Sequence, residues 1–110
     1  MIEFTIYGEV PSKKNAWRHG KDGVYLPKTQ QKALDDLQLQ MQVHKPRKPL
    51  EGSLAVMIEI GGHTNKDLDN QVTTLLDLLQ KAGIIKNDKD VEDIHAWYGG
   101  RGVTVTVEDL

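Results

Sequence analysis

The sequence predicts an α+β fold: a single compact domain, residues 1–110, in which a mixed β-sheet packs with two main helices in the order β-α-β-α-β-β. Three observations carry this reading. Apolar and polar residues alternate with a period of two over 2–10, 54–60 and 103–107, the pattern of strands with one face buried. Apolar residues recur at three- and four-residue steps in two intervening stretches, around Leu34 and around Leu75, as in helices packed on a sheet. Glycine and proline clusters separate these stretches, no repeat or composition break divides the chain, and 110 residues build one modest core but not two.

In the first strand Ile2, Phe4, Ile6, Gly8 and Val10 oppose Glu3, Thr5, Tyr7 and Glu9. Pro11-Ser12-Lys13-Lys14-Asn15 ends it, because proline cannot donate to a ladder and Ser and Asn favour turns. Residues 13–28 read as a loop bearing Lys13, Lys14, Arg18, Lys21 and Lys28, with Trp17 and Tyr25 interspersed. Such interleaving suits phosphate pairing and base stacking; a solvated loop whose Trp17 covers the core edge has the same composition. Thr29 is a candidate cap for a helix over 30–43, in which Ala33, Leu34, Leu37 and Met41 share a face. Lys45-Pro46-Arg47-Lys48-Pro49 breaks that helix and forms a stiff connector with three positive charges.

Leu54, Val56, Ile58 and Ile60 form a second strand, interior because Ala55 and Met57 leave its other face apolar as well. Gly61-Gly62 then loosens the chain. In the second helix Leu68, Val72, Leu75, Leu76 and Leu79 make the apolar face, Asp69 is a candidate N-cap, and Gly83 suits the left-handed residue past its end. Ile84-Ile85 is a short buried stretch and 87–90 a polar turn. Ile94, Ala96 and Tyr98 alternate with His95 and Trp97, Gly99-Gly100-Arg101-Gly102 turns the chain, and Val103, Val105 and Val107 complete a hairpin.

Composition narrows the function classes. The absence of cysteine excludes disulfides and thiolate metal sites. A net charge of −2 argues against a constitutive nucleic-acid binder, yet residues 1–48 hold nine Lys/Arg against five Asp/Glu while 49–110 hold five against eleven. A basic front and an acidic back suit a protein that grips phosphates with one part and a metal with another; chance clustering on a solvated surface gives the same numbers. No basic n-region opens the chain and nowhere do 18 apolar residues follow one another, so the expected setting is cytoplasmic with no membrane partner.

The chemistry concentrates in Lys66-Asp67-Leu68-Asp69-Asn70, at the mouth of the second helix, with Asn87-Asp88 following its end. Mg²⁺ takes hard oxygen ligands and keeps several waters, so Asp67, Asp69 and Asp88 suffice if the chain folds back over one helix. Helix capping alone also accounts for Asp69. Other constellations are poorer: the four histidines form no zinc pattern, Ser12 and Ser53 lack a nucleophile context, and the glycine pairs match no nucleotide-binding loop.

The sequence resembles the RusA family of Holliday junction resolvases. The resemblance is carried by Pro11-Ser12-Lys13-Lys14-Asn15 with Trp17-Arg18-His19, Asp67-Leu68-Asp69-Asn70, Leu75-Leu76-Asp77-Leu78-Leu79, Ala82-Gly83-Ile84-Ile85-Lys86-Asn87-Asp88, and Gly99-Gly100-Arg101 with the Val/Thr strand, in order along nearly the whole chain. It implies a Mg²⁺-dependent, structure-selective endodeoxyribonuclease acting as a homodimer on branched DNA, with Asp67, Asp69 and Asp88 as catalytic, metal-binding carboxylates. Lys13, Lys14, Asn15, Arg18, Lys45, Arg47, Lys48 and Lys66 are the expected DNA contacts. The chain departs from the family at Thr73, where a lysine is usual, and at Asn87, in place of the first Asp of the closing pair. Lys66, Lys81 or Lys86 are candidates to compensate for Thr73. Two other readings compete: a branched-DNA-binding module without catalysis, and a small dimeric interaction protein with an ordinary capped helix.

Overall fold

The computed structural model describes residues 1–11, 28–61 and 67–110 in full and the backbone of 18–20 and 23–25. Its elements are β1 (Ile2–Ile6), β2 (Arg18–Gly20), β3 (Gly23–Tyr25), α1 (Lys28–Gln42), β4 (Leu54–Ile60), α2 (Leu68–Lys81), a 3-10 turn (Asp88–Asp90), β5 (Val91–Tyr98) and β6 (Val103–Asp109). A four-stranded mixed sheet has the order β1-β6-β4-β5, and among the described residues β2 and β3 form a separate two-stranded sheet. The architecture is the expected α+β one, with β-α-β-α-β-β as its main order. The stretch read as a loop over 13–28 instead contains the short β2-β3 ladder, too brief for an alternation signal.

Both helices cover one face of the sheet. Phe4 and Ile6 of β1, Leu54, Val56, Ile58 and Ile60 of β4, and Val103, Val105 and Val107 of β6 are buried against Leu34, Leu37 and Met41 of α1 and Leu75, Leu78 and Leu79 of α2. Ile84 and Ile85 close the core below α2, as their apolar pairing predicts. His44, past the end of α1, stacks on Phe4 with ring centroids 5.0 Å apart. β1 is shorter than the alternation implies: the chain bends at Gly8, whose φ of 136° is left-handed territory. Just before the bend, where pairing has ended at Ile6, Gln40 of α1 replaces a strand partner, accepting from the Tyr7 N–H at 2.8 Å and donating to the Tyr7 carbonyl at 2.6 Å.

The sheet overturns one expectation. β5 and β6 are not a hairpin; β4 lies between them, parallel to β5 and antiparallel to β6. Alternation marks a strand but does not name its partner, and the four residues 99–102 are as short as a hairpin turn. They instead arch over the end of β4, where Gly99 N–H donates to Ile60 O at 2.9 Å and Gly61 N–H to Gly102 O at 2.7 Å. Gly61 is therefore pinned rather than loose. A Cβ on it would collide with the Gly100 carbonyl and Arg101 Cα, both backbone, which cannot rotate aside. Gly61→Ala is expected to cost about 1–3 kcal/mol in urea denaturation, the usual penalty of overpacking; an unchanged midpoint would show that the arch yields.

Candidate active site

The crossover from β4 through α2 to β5 sets the site's geometry. Because β4 and β5 are parallel, α2 runs back along the sheet between them. Its N-terminus lies at the carboxyl ends of β4 and β5, and its C-terminus lies where β5 begins. Asp67 is the N-cap of α2, two residues earlier than expected, and accepts Gln71 N–H on its carbonyl at 3.0 Å; its side chain makes no capping bond. Asp69 stands exposed in the first turn. Amide dipoles at a helix N-terminus favour both negative charges, which lets two carboxylates sit one residue apart.

Tyr98, the last residue of β5, meets this acidic mouth. Its hydroxyl donates to Gln71 Oε1 at 2.8 Å. Burial first, then the charges of Asp67 and Asp69, hold its phenol above the usual tyrosine pKa. The other end of the same amide, Gln71 Nε2, donates to the Val10 carbonyl at 3.0 Å. Gln71 is only 1% exposed. Beside it opens a cavity of about 450 Å³ lined by Tyr7, Val10, Ile60, Gln71 and Gly102 among others. Sequence reasoning missed both Gln71 and Tyr98. The available signal was a polar residue inside the apolar stripe of α2, three residues after Leu68 and four before Leu75.

Asp88 lies at the other end. Its N–H donates to Gln80 Oε1 at 3.0 Å, and Asn87 caps the following turn by accepting from Lys89 N–H at 3.0 Å. Gln80 is eleven residues along α2 from Asp69, about 16 Å at 1.5 Å per residue. Among the described residues no group of three or more His, Asp or Glu gathers closely enough to hold a metal ion. Asp88 thus sits beside Gln80, while Asp67 and Asp69 sit at the mouth of α2. The parallel crossover explains why: it carries the chain to the far edge of the sheet before β5 starts.

The basic connector shares the Asp88 end. Lys45, Arg47 and Lys48 are exposed, and the connector finishes at Leu50, which bridges Ile85 and exchanges bonds with Ile84 O at 2.9 Å and Lys86 N–H at 2.8 Å. Arg18 belongs to β2, where its backbone pairs with Tyr25; its side chain, and Lys13, Lys14, Asn15 and Lys66, lie outside the described residues. Thr73 donates its hydroxyl to the Asp69 carbonyl at 3.0 Å. The candidate replacements Lys81 and Lys86 pair with Asp77 at 3.2 Å and Glu51 at 3.0 Å, near the C-terminal end of α2. Contact with Glu51 raises the Lys86 pKa further.

Gln71→Ala is expected to destabilise the fold by about 1–3 kcal/mol, since it strips a buried carbonyl of its donor. Equilibrium denaturation measures it. The raised Tyr98 pKa fixes the sign of a pH effect: its contribution is fully present below pH 10.0 and is lost as pH rises through the higher folded value. The stability difference between wild type and Tyr98→Phe should accordingly shrink in alkaline buffer, and a difference that grows there would contradict the assignment.

Comparison with known families finds one described as endodeoxyribonuclease RusA, matching residues 7–108. Comparison with curated proteins finds no match. The family match runs from the residue after β1 to the penultimate residue of β6 and so includes both ends of α2. With nearly its whole length matched, the chain belongs to the RusA family of endodeoxyribonucleases.

Proposed function

We propose that this protein is a Mg²⁺-dependent endodeoxyribonuclease that resolves four-way DNA junctions as a homodimer, in recombination and repair. The observation that supports it most is the pair Asp67 and Asp69 at the mouth of α2, in a chain matched to this family over 7–108. Their hard carboxylate oxygens fit Mg²⁺, which is held by one or two carboxylates together with waters and substrate phosphate. When bound, the ion supplies Lewis-acid polarisation of the phosphodiester. The reaction is hydrolysis: water adds at phosphorus, the 3′ oxygen leaves, and a 5′-phosphate and 3′-hydroxyl result.

A third carboxylate joins this pair on our reading only from a second protomer. β5 is one of the two edge strands of the sheet, and Ile94, Trp97 and Tyr98 on it are 44%, 43% and 37% exposed. Two β5 strands related by a two-fold axis and paired antiparallel would set Val91 of one copy against Tyr98 of the other. Asp88, three residues before Val91, then approaches the Asp67 and Asp69 of its neighbour, with Lys45, Arg47 and Lys48 following as the phosphate-holding arm. A junction of near two-fold symmetry receives two such sites, one for each of a pair of nicks. Localisation in the cytoplasm accords with this role; no helix among the described residues is long and apolar enough to cross a membrane.

A second reading, a junction-binding module without cleavage, is favoured by one observation. The Thr73 hydroxyl is engaged by the Asp69 carbonyl and brings no cation to the site. Synthetic junctions with Mg²⁺ separate the two. Wild type should cut, and Asp69→Asn should cut at least roughly 100-fold more slowly, the scale of losing a charge-stabilising group. Equal cutting refutes the site, and binding without cutting by wild type selects the second reading. Junction affinity should also fall with salt, and replacing Lys45, Arg47 and Lys48 by alanine should flatten the log–log slope by roughly 0.9 for each phosphate that is no longer neutralised.

A further inference from the structure

We infer that Gln71 and Tyr98 act as a positioning pair for the acidic mouth of α2, fixing Asp67 and Asp69 against the end of β5. The inference rests on the metal-dependent reading above. One buried residue ties three parts of the chain: the backbone N–H of Gln71 donates to the Asp67 carbonyl at 3.0 Å, its Nε2 donates to the Val10 carbonyl at 3.0 Å, and its Oε1 accepts from the Tyr98 hydroxyl at 2.8 Å. For packing alone an aliphatic residue would serve, since Gln71 lies in the apolar stripe with Leu68 and Leu75. A buried amide is tolerated there only because both of its ends are bonded, and such bonds are directional where apolar contact is not. Tyr98, partly exposed, reaches through its hydroxyl to Gln71, four residues after Asp67, and also ends the strand proposed to meet the second protomer. Tyr98 therefore links the place where the cation binds to the edge where the copies join, without itself reacting.

The test uses full-length protein and Mn²⁺ alone as the probe, its binding followed by electron paramagnetic resonance. Tyr98→Phe keeps the ring and removes the hydroxyl. It should weaken Mn²⁺ binding, and raise the Mg²⁺ concentration giving half-maximal junction cutting, by about three- to tenfold, the loss of one hydrogen bond. Junction binding in chelator should stay at the wild-type value. Gln71→Met, which keeps length but drops both side-chain bonds, supplies the second arm. If the two residues act as a unit, the Gln71→Met/Tyr98→Phe double variant loses less than the sum of the single losses. Mn²⁺ affinity unchanged in Tyr98→Phe, or strictly additive losses, overturns the positioning role alone. A wild-type protein that binds no Mn²⁺ overturns the metal-dependent reading, and this inference with it.

Discussion

The parallel pairing of β4 with β5 is the constraint on which the other features depend. A parallel pair cannot be joined by a tight turn, so the chain must travel back over the sheet, and here it does so as α2. That passage buries Leu75, Leu78 and Leu79 on the sheet and completes the core. It also separates the two acidic stretches by the length of the helix. Asp67 and Asp69 are delivered to the carboxyl ends of the strands, and Asp88 to the amino end of β5. A cation site built from all three is thus a question about assembly as well as about folding, and the exposed edge of β5 is the surface on which the proposed dimer answers it.

Two glutamines complete what the strands leave undone. Past Ile6 the chain no longer pairs with β6, yet its backbone groups remain near the core and need partners. Gln40 of α1 satisfies Tyr7 on both its N–H and its carbonyl, and Gln71 of α2 satisfies Val10. Each helix thereby fixes the segment that leads toward the basic stretch beginning at Lys13. The glycine arch over β4 works on the same end of the sheet, with Gly61 admitting the Gly99–Gly102 backbone at close range. Several short polar contacts, more than any single apolar one, fix the geometry of the carboxyl edge where the acidic pair sits.

Much of this is readable from the residues. Period-two alternation locates β4 at 54–60, and three- and four-residue spacing locates both helices to within about two residues, because burial on one face writes itself directly into a strand or helix. Gly83, with φ of 81°, stands where a left-handed residue is expected. Strand partnership is not readable in the same way. Ile94, Ala96 and Tyr98 alternate equally well beside β4 or beside β6, and four residues at 99–102 span either connection. That ambiguity carries directly into the site: a hairpin leaves the position of Asp88 open, whereas a parallel crossover sends it to the far end of α2. Gln71 escapes notice because a stripe of apolar residues tolerates one polar member without losing its period.

The division of the acidic residues between two copies is the central claim, and mixing two inactive variants tests it most directly. Asp69→Asn and Asp88→Asn proteins, each unable to cut alone, are combined under exchange conditions and given a junction and Mg²⁺. With the ligands shared across the dimer, each mixed pair regains one intact site, so nicking returns to about a quarter of the wild-type level for random assortment, chiefly as single rather than paired cuts. A mixture no more active than either variant by itself would contradict the account and return all three carboxylates to one chain.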